Sequence, residues 1–262
     1  MKIAYIGIDL FFEALCSLEN CGCEIVEVFS CVTDNKTEFN VKIREFAEKR
    51  NIPCQMTRIT RDDIERLKEK GCKMAVCGGY YFKIPWDTDF PIVNIHPTLL
   101  PVGRGPWPMP QVILKGMKKS GVTVHKIAES FDSGDILLQR EFELSDDETH
   151  ETYMKKACGF LPEMMETLVQ SFDALWENAK PQEDSPYWSA PLPEDFTVSC
   201  DMTVDKADKI LRAFFGYECI YQGENENFEI IGGRARMGEI PKNGCLPLKD
   251  GYIKVKTKKM YF

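Results

Sequence analysis

The residues best suited to chemistry stand in the stretch NIHPTLLPVGRG, which spans residues 94–105. Asn94 and His96 are two positions apart, and Pro97 follows at once. Because proline has no N–H to give to a central β-ladder, we predict that a strand ends here. Side chains two positions apart in a strand lie on the same face. The spacing therefore predicts an amide and an imidazole side by side at a strand end.

A carboxylate follows in a second polar stretch, AESFDSG, at residues 128–134. Asp132 is flanked by Ser133 and Gly134, small residues that permit the close approach of a ligand. An amide, a histidine and a carboxylate together can stabilise an oxyanion and transfer a proton, as acyl transfer between nitrogens requires. A metal site is the alternative. Since His125 is the only further histidine nearby and no C-x-x-C pair exists, we expect no metal.

Alternating apolar runs and helical patterns predict the scaffold that positions these groups. Apolar runs indicate strands at 2–7, 24–32, 73–77, 91–95, 121–127 and 135–142, and helical periodicity indicates helices up to about residue 20, at 37–50 and at 60–70. This order predicts an α/β fold with a doubly wound, mostly parallel, Rossmann-like sheet. Ligands bind beyond the carboxyl ends of such strands, where Asn94 and His96 fall. Gly7 lacks the rest of a G-x-G-x-x-G sequence, which argues against a dinucleotide site.

The second half of the chain has a different pattern. Ser145 and Glu148 form a capping-box pattern, which predicts a long helix from there to about residue 178, broken near Gly159 and Pro162. The proline-rich segment KPQEDSPYWSAPLPED then predicts a linker. A short helix near 203–215 and several short strands with glycine-rich turns follow. We therefore predict an α/β catalytic domain over residues 1–180, a linker over 181–193 and a small β-rich domain over 194–262.

Composition limits the classes of partner. The net charge is −8, so nucleic acid and anionic lipid are not the default partners. The eleven cysteines are scattered and odd in number, which favours reduced thiols over a disulfide framework. The opening MKIAYIGIDL has no cleavage signal, and no run of apolar residues is long enough to span a membrane. We expect a cytoplasmic protein without a membrane partner.

Two segments carry a family resemblance. NIHPTLLPVGRGPWP and SGVTVHKIAESFDSGDILLQ, at residues 94–108 and 120–139, resemble the signature of the formyltransferases that use 10-formyltetrahydrofolate. This family includes the enzymes that act on methionyl-tRNA, on glycinamide ribonucleotide and on nucleotide-linked aminosugars. The resemblance spans about residues 1–180. Beyond residue 185 it is weaker, although VDKADKILRAF resembles the helix that opens the C-terminal barrel of the tRNA and sugar enzymes, which implies an OB-like barrel here.

The resemblance also implies roles for individual residues. The catalytic amide, imidazole and carboxylate of the family fall on Asn94, His96 and Asp132, in agreement with the reasoning above. The folate co-substrate is expected to bind backbone groups of two loops, at Phe82, Ile84, Ile127, Ala128, Glu129 and Ser130. Without the resemblance, the first loop, GGYYFKIP, is equally typical of a strand-end turn with packed aromatic residues.

The acceptor of the formyl group is less clearly indicated. The tRNA enzymes of the family usually carry a long basic insertion after the second strand, and this sequence lacks one. Residues 181–262 hold 11 Lys and Arg against 13 Asp and Glu, a net charge of −2. We therefore favour a small-molecule amine, such as a nucleotide-linked aminosugar, over methionyl-tRNA. A 10-formyltetrahydrofolate hydrolase and a folate-binding module without catalysis are further alternatives, and a homodimer is left open.

The turn GRGPWP follows the predicted catalytic strand, where the acceptor must approach. It presents Arg104 and Trp107, groups suited to phosphate pairing and to stacking on a ring, so we expect both to contact the acceptor. The alternative is structural. In that case Arg104 pairs with a nearby acid, and Trp107 anchors the start of a helix.

Overall fold

The first seven strands form a single sheet in the structure, a computed structural model that describes residues 1–224, 226–241 and 244–255, with the backbone of 258–260. The strands are β1 (Lys2–Gly7), β2 (Glu24–Phe29), β3 (Cys54–Gln55), β4 (Met74–Gly78), β5 (Ile92–His96), β6 (Lys119–Lys126) and β7 (Ile136–Glu143). Their order is β3-β2-β1-β4-β5-β6-β7. Neighbours from β3 to β5 pair in parallel, and β6 runs antiparallel to β5. The predicted mostly parallel α/β fold is confirmed.

The parallel part of the sheet is buried because its strands are apolar on both faces. Residues 3–6 of β1, with the sequence IAYI, are fully buried. All five residues of β4 are buried as well. Strands covered on both faces lose the alternation of apolar and polar residues that marks a half-exposed strand. This explains why continuous apolar runs identified them.

The described residues also form eight α-helices. They are α1 (Phe12–Asn20), α2 (Val41–Lys49), α3 (Arg61–Glu69), α4 (Pro108–Leu114), α5 (His150–Gly159), α6 (Leu161–Gln170), α7 (Phe172–Glu177) and α8 (Val204–Ala213). The long helix predicted after Ser145 is three helices, and it begins later. Glu148 does accept from the Ser145 N–H at 3.0 Å. The helix itself begins at His150, because Thr149 and Thr152 exchange backbone-to-hydroxyl hydrogen bonds of 3.0 and 3.1 Å there.

The chain divides in space into two units. The first holds Met1–Arg104, Gly121–Phe142 and Lys156–Tyr187, and the second holds Gly105–Ser120, Glu143–Lys155 and Trp188–Phe262. This differs from the predicted contiguous domains, since 105–120 and 143–155 join the C-terminal part. Apolar packing is the reason. Ile113 and Trp107 belong to the same core as Phe214 of the C-terminal part.

The second unit is rich in β-structure, as predicted. One sheet has the order β14-β10-β9-β8 and the other β11-β13-β12. The strands are β8 (Thr197–Ser199), β9 (Glu218–Gln222), β10 (Asn227–Ile231), β11 (Gly233–Met237), β12 (Cys245–Leu248), β13 (Gly251–Val255) and β14 (Lys258–Met260). The described strands thus form two sheets and not one closed barrel. No helix among the described residues is long and apolar enough to cross a membrane.

Candidate active site

Asn94 and His96 lie at the carboxyl end of β5, at the strand end that Pro97 predicted. Asn94 pairs in register with Cys77 of β4 on one side and with His125 of β6 on the other. His96 is only 4% exposed. The neighbouring strands therefore hold both residues at this edge of the sheet, where His96 is buried and Asn94 is half-buried.

Asp132 approaches these residues from the loop that joins β6 to β7. Its Oδ1 atom lies 3.5 Å from His96 Nδ1 and 3.4 Å from Asn94 Nδ2. The backbone of Asp132 is in the left-handed region, with φ of 55°. Such a conformation is uncommon for residues other than glycine, although Asp and Asn tolerate it. The structure thus brings the three predicted catalytic residues together at one carboxylate oxygen.

The His96 ring is oriented by a backbone carbonyl. Its Nε2–H donates to Gly103 O at 2.8 Å, so Nδ1 is the nitrogen that faces Asp132. Gly103 has φ of +81°, and a Cβ on it would lie 2.8 Å from Thr98 Cγ2. Only glycine meets both conditions without strain. The turn after β5 therefore sets which nitrogen of His96 faces the carboxylate.

His125, which the sequence analysis weighed only as a metal ligand, also lies beside Asn94 in the candidate site. Its Nδ1 lies 2.8 Å from Lys126 O, so Nδ1 carries a proton and donates it to that carbonyl. Its Nε2 can then accept from Asn94 Nδ2 at 3.1 Å. This contact orients the amide of Asn94. The signal in the sequence was the alternation TVHK, but the pairing of β6 with β5 was needed to place His125 beside Asn94.

Burial and charge act in opposite directions on His96. Burial, the larger effect, lowers the pKa of His96, and the Asp132 carboxylate raises it. His125 lowers it further, while the hydrogen bond to Gly103 raises it. Burial also raises the pKa of the Cys77 thiol, which Asp132 reinforces, so this thiol stays protonated. Cys77 therefore offers no thiolate to the site.

The Asp132 loop is held from two sides. On one side, Gly134 packs against β6 so closely that a Cβ would lie 2.0 Å from Lys126 O. On the other, Gln182 Nε2 donates to Asp132 O at 2.9 Å and to Gly134 O at 2.7 Å. Gln182 comes from the predicted linker, where nothing in the sequence marked it as part of the site.

The residues expected to contact folate occupy two neighbouring segments. Ile84 is buried in the same apolar cluster that Ile127 packs against. The Ile127 N–H donates to Ile92 O at 2.9 Å, which fixes this segment to the start of β5. Phe82 is 39% exposed, with its ring 5.4 Å from that of Tyr80. Ala128, Glu129 and Ser130 continue the second segment with increasing exposure. Their role in binding folate stays a prediction.

Arg104 and Trp107 have different surroundings. Arg104 Nη2 donates to Phe131 O at 3.3 Å, and its Nε is buried without an acceptor among the described residues. Among the described residues, Arg104 thus bonds a carbonyl oxygen instead of the acid that the structural alternative predicted.

Trp107 is enclosed in the second unit. Its Nε1–H donates to His150 Nε2 at 3.3 Å, and its ring packs 4.6 Å from Tyr217 and 5.4 Å from Phe214. Of the two roles left open for Trp107, these contacts match the anchoring one, because both its polar and its apolar parts are engaged. Its expected contact with an acceptor has no support in the described part of the chain. Likewise, no cluster of three or more His, Cys, Asp or Glu suited to a metal occurs among the described residues.

The sequence matches one family over its first two thirds. Residues 1–168 match the family described as formyl transferase. The chain belongs to the formyl transferase family, which confirms the predicted resemblance. A methionyl-tRNA formyltransferase of Acetivibrio thermocellus is 33% identical over 215 residues, which cover 76% of this chain and 68% of that protein. One of Treponema denticola is 32% identical over 178 residues, covering 65% of this chain and about half, 54%, of that protein.

Solved structures share the fold at lower identity. HypX from Aquifex aeolicus, in complex with tetrahydrofolic acid, has a TM-score of 0.76 and 16% identity, over 100% of this chain and 44% of HypX. A sugar N-formyltransferase from Shewanella sp has a TM-score of 0.67 and 16% identity, over 92% of this chain and 99% of that one. Both comparisons support the fold.

Proposed function

We propose that this protein transfers a formyl group from 10-formyltetrahydrofolate to a primary amine. The observation that carries the proposal is the convergence of Asn94 and His96 on the carboxylate of Asp132. Membership of the formyl transferase family supports the transferred group. The tetrahydrofolic acid bound to HypX, a protein of the same fold, supports a folate donor.

In the proposed reaction, the acceptor amine attacks the formyl carbon on N10 of the folate. A C–N bond forms, and the carbonyl oxygen becomes an oxyanion. Asn94 and protonated His96 donate hydrogen bonds to this oxygen. Donors that are already held in place stabilise such a charge most strongly in a site that excludes water. Asp132 accepts the proton that the amine loses and favours the charged form of the imidazole. The oxyanion then re-forms the carbonyl as the bond to N10 breaks, N10 takes the proton that Asp132 accepted, and tetrahydrofolate leaves.

The favoured acceptor is a small amine, such as a nucleotide-linked aminosugar. Residues 30–40 connect β2 to α2 directly, so no long basic insertion is present at this position. Asp34 closes this connection by accepting from the N–H groups of Lys36, Thr37 and Glu38. The net charge of −2 over residues 181–262 also opposes strong attraction of tRNA. Arg104 is half-buried in the turn that follows β5, and its guanidinium is the group expected to pair with an anionic group of the acceptor.

Methionyl-tRNA is the second candidate acceptor. It is favoured by the names of the curated relatives, which are methionyl-tRNA formyltransferases. Hydrolysis of 10-formyltetrahydrofolate is the third candidate, because water in place of the amine would use the same Asn94, His96 and Asp132.

The test is to incubate the purified protein with 10-formyltetrahydrofolate and either an amino-sugar nucleotide, methionyl-tRNA or no acceptor. Tetrahydrofolate release and the mass of the formylated product are followed together. We expect product with the sugar nucleotide, and a loss of about 10²–10³ in turnover in Asn94→Ala and His96→Ala. Formate release without any acceptor would instead identify a hydrolase. Folate binding without turnover in the wild type would identify a binding module.

A further inference from the structure

Gln182 joins the linker to the loop that carries Asp132. The linker is attached to the first unit on both sides of Gln182. Lys180 exchanges two backbone hydrogen bonds with Ile136, of 2.8 and 2.9 Å, and Tyr187 forms a β-bridge with Arg104. Between these anchors, the amide group of Gln182 donates to two backbone carbonyls of the loop, Asp132 O and Gly134 O.

The orientation of this amide is determined by its partners. Both bonds come from Nε2, which has two hydrogens, so its donor capacity is used in full. The Oε1 atom is buried and has no hydrogen-bond partner among the described residues. A rotated amide would place Oε1 against two carbonyl oxygens. The two hydrogen bonds donated by Nε2 therefore stabilise this orientation by more than the free-energy cost of leaving the buried Oε1 without a donor.

The bonds act on the backbone at the residue whose conformation places the carboxylate. Asp132 has φ of 55°, a strained value that neighbouring contacts must maintain. From this conformation its Oδ1 faces both His96 and Asn94. We propose that Gln182 is a positioning residue, which holds the Asp132 carboxylate against His96 and so tunes the catalytic imidazole. This inference rests on the proposed function.

Gln182→Met removes both donors and keeps the length of the side chain. We expect turnover to fall by about tenfold to a hundredfold, because a displacement of about 1 Å at a reacting group has effects of this size. The pH profile should change as well. Since the carboxylate raises the pKa of His96, its displacement should move the His96-dependent limb of the profile to lower pH. The matched control is Gln170→Met, at an exposed glutamine that ends α6.

A second arm separates positioning from general stability. If Gln182 acts through the Asp132 carboxylate, Gln182→Met should lower turnover little further in an Asp132→Asn background. Additive losses in the double variant, or equal behaviour of Gln182→Met and Gln170→Met, would overturn the inference. Amide hydrogen exchange over residues 131–135, expected to be faster in Gln182→Met, needs no turnover. Hydrogen exchange therefore tests the loop contact even if the wild type transfers no formyl group. Absence of formyl transfer in the wild type would count against the proposed function alone.

Discussion

His96 Nδ1 lies 3.5 Å from Asp132 Oδ1 across the end of β5. Burial of the imidazole opposes its protonation, and the carboxylate partly offsets this effect. Burial thus opposes the charge that His96 needs in the proposed reaction, and the neighbouring carboxylate favours that charge. We therefore expect the proposed activity to depend on pH and on the position of the loop that carries Asp132.

Asp132→Asn should lower turnover by about 10²-fold or more, because it removes the proton acceptor. The pKa of His96 should fall further, because the substitution removes the carboxylate that raises it. Burial and His125 would still lower this pKa, and the hydrogen bond to Gly103 would still raise it. Activity that needs protonated His96 is lost as pH rises through this pKa, so the loss should move to lower pH. Turnover measured from pH 5 to 9 checks this. Asp135→Asn, at the acid paired with Lys126, is the control. An unchanged profile in Asp132→Asn would remove the carboxylate from the mechanism.

His125→Phe should lower turnover by about tenfold, because the Asn94 amide loses the acceptor that orients it. The loss should be smaller than in Asn94→Ala. In the double variant, the loss of turnover from His125→Phe should not add to the loss from Asn94→Ala, since both changes act on one interaction. Steady-state kinetics of the two single variants and the double variant test this. Fully additive losses would mean that His125 acts independently of Asn94.

Arg104→Ala should raise the KM of an anionic acceptor by about tenfold, because charge-assisted hydrogen bonds contribute more than neutral ones. Folate affinity should stay unchanged. Arg44→Ala, at an exposed position on α2, is the matched control. Parallel losses of folate affinity and melting temperature in Arg104→Ala would show that its bond to Phe131 O only holds the turn.

The buried His150 should make stability depend on pH. Burial lowers its pKa to about 4 in the folded state, against an ordinary value of 6.5. The unfolded chain therefore binds the proton first as pH falls, and stability present above pH 6.5 is lost below it. Between pH 7 and 4.5 we expect a loss of about 2–3 kcal/mol from this residue. Urea unfolding at both pH values, in the wild type and in His150→Gln, measures it. An equal pH dependence of the free energy of unfolding in both proteins would show that His150 is not the source of this loss.

The sequence by itself indicated the end of β5 and the three residues proposed to react. Pro97 ends β5, and the period of two places Asn94 and His96 on one face. Continuous apolar runs identified the buried parallel strands, because burial on both faces leaves a local signature. The family motif around Asp132 was also local. These features depend on a few neighbouring residues, so they could be predicted without a structure.

Only the tertiary structure decided the contacts that join distant segments. The antiparallel pairing of β6 with β5 sets His125 beside Asn94, and strand register is not encoded in either strand alone. Gln182 reaches a loop fifty residues earlier in the chain. Trp107 packs with Phe214 and Tyr217, so its segment joins the second unit although it follows β5 closely in the sequence. Each contact depends on where the folded chain returns to itself, which local periodicity does not specify.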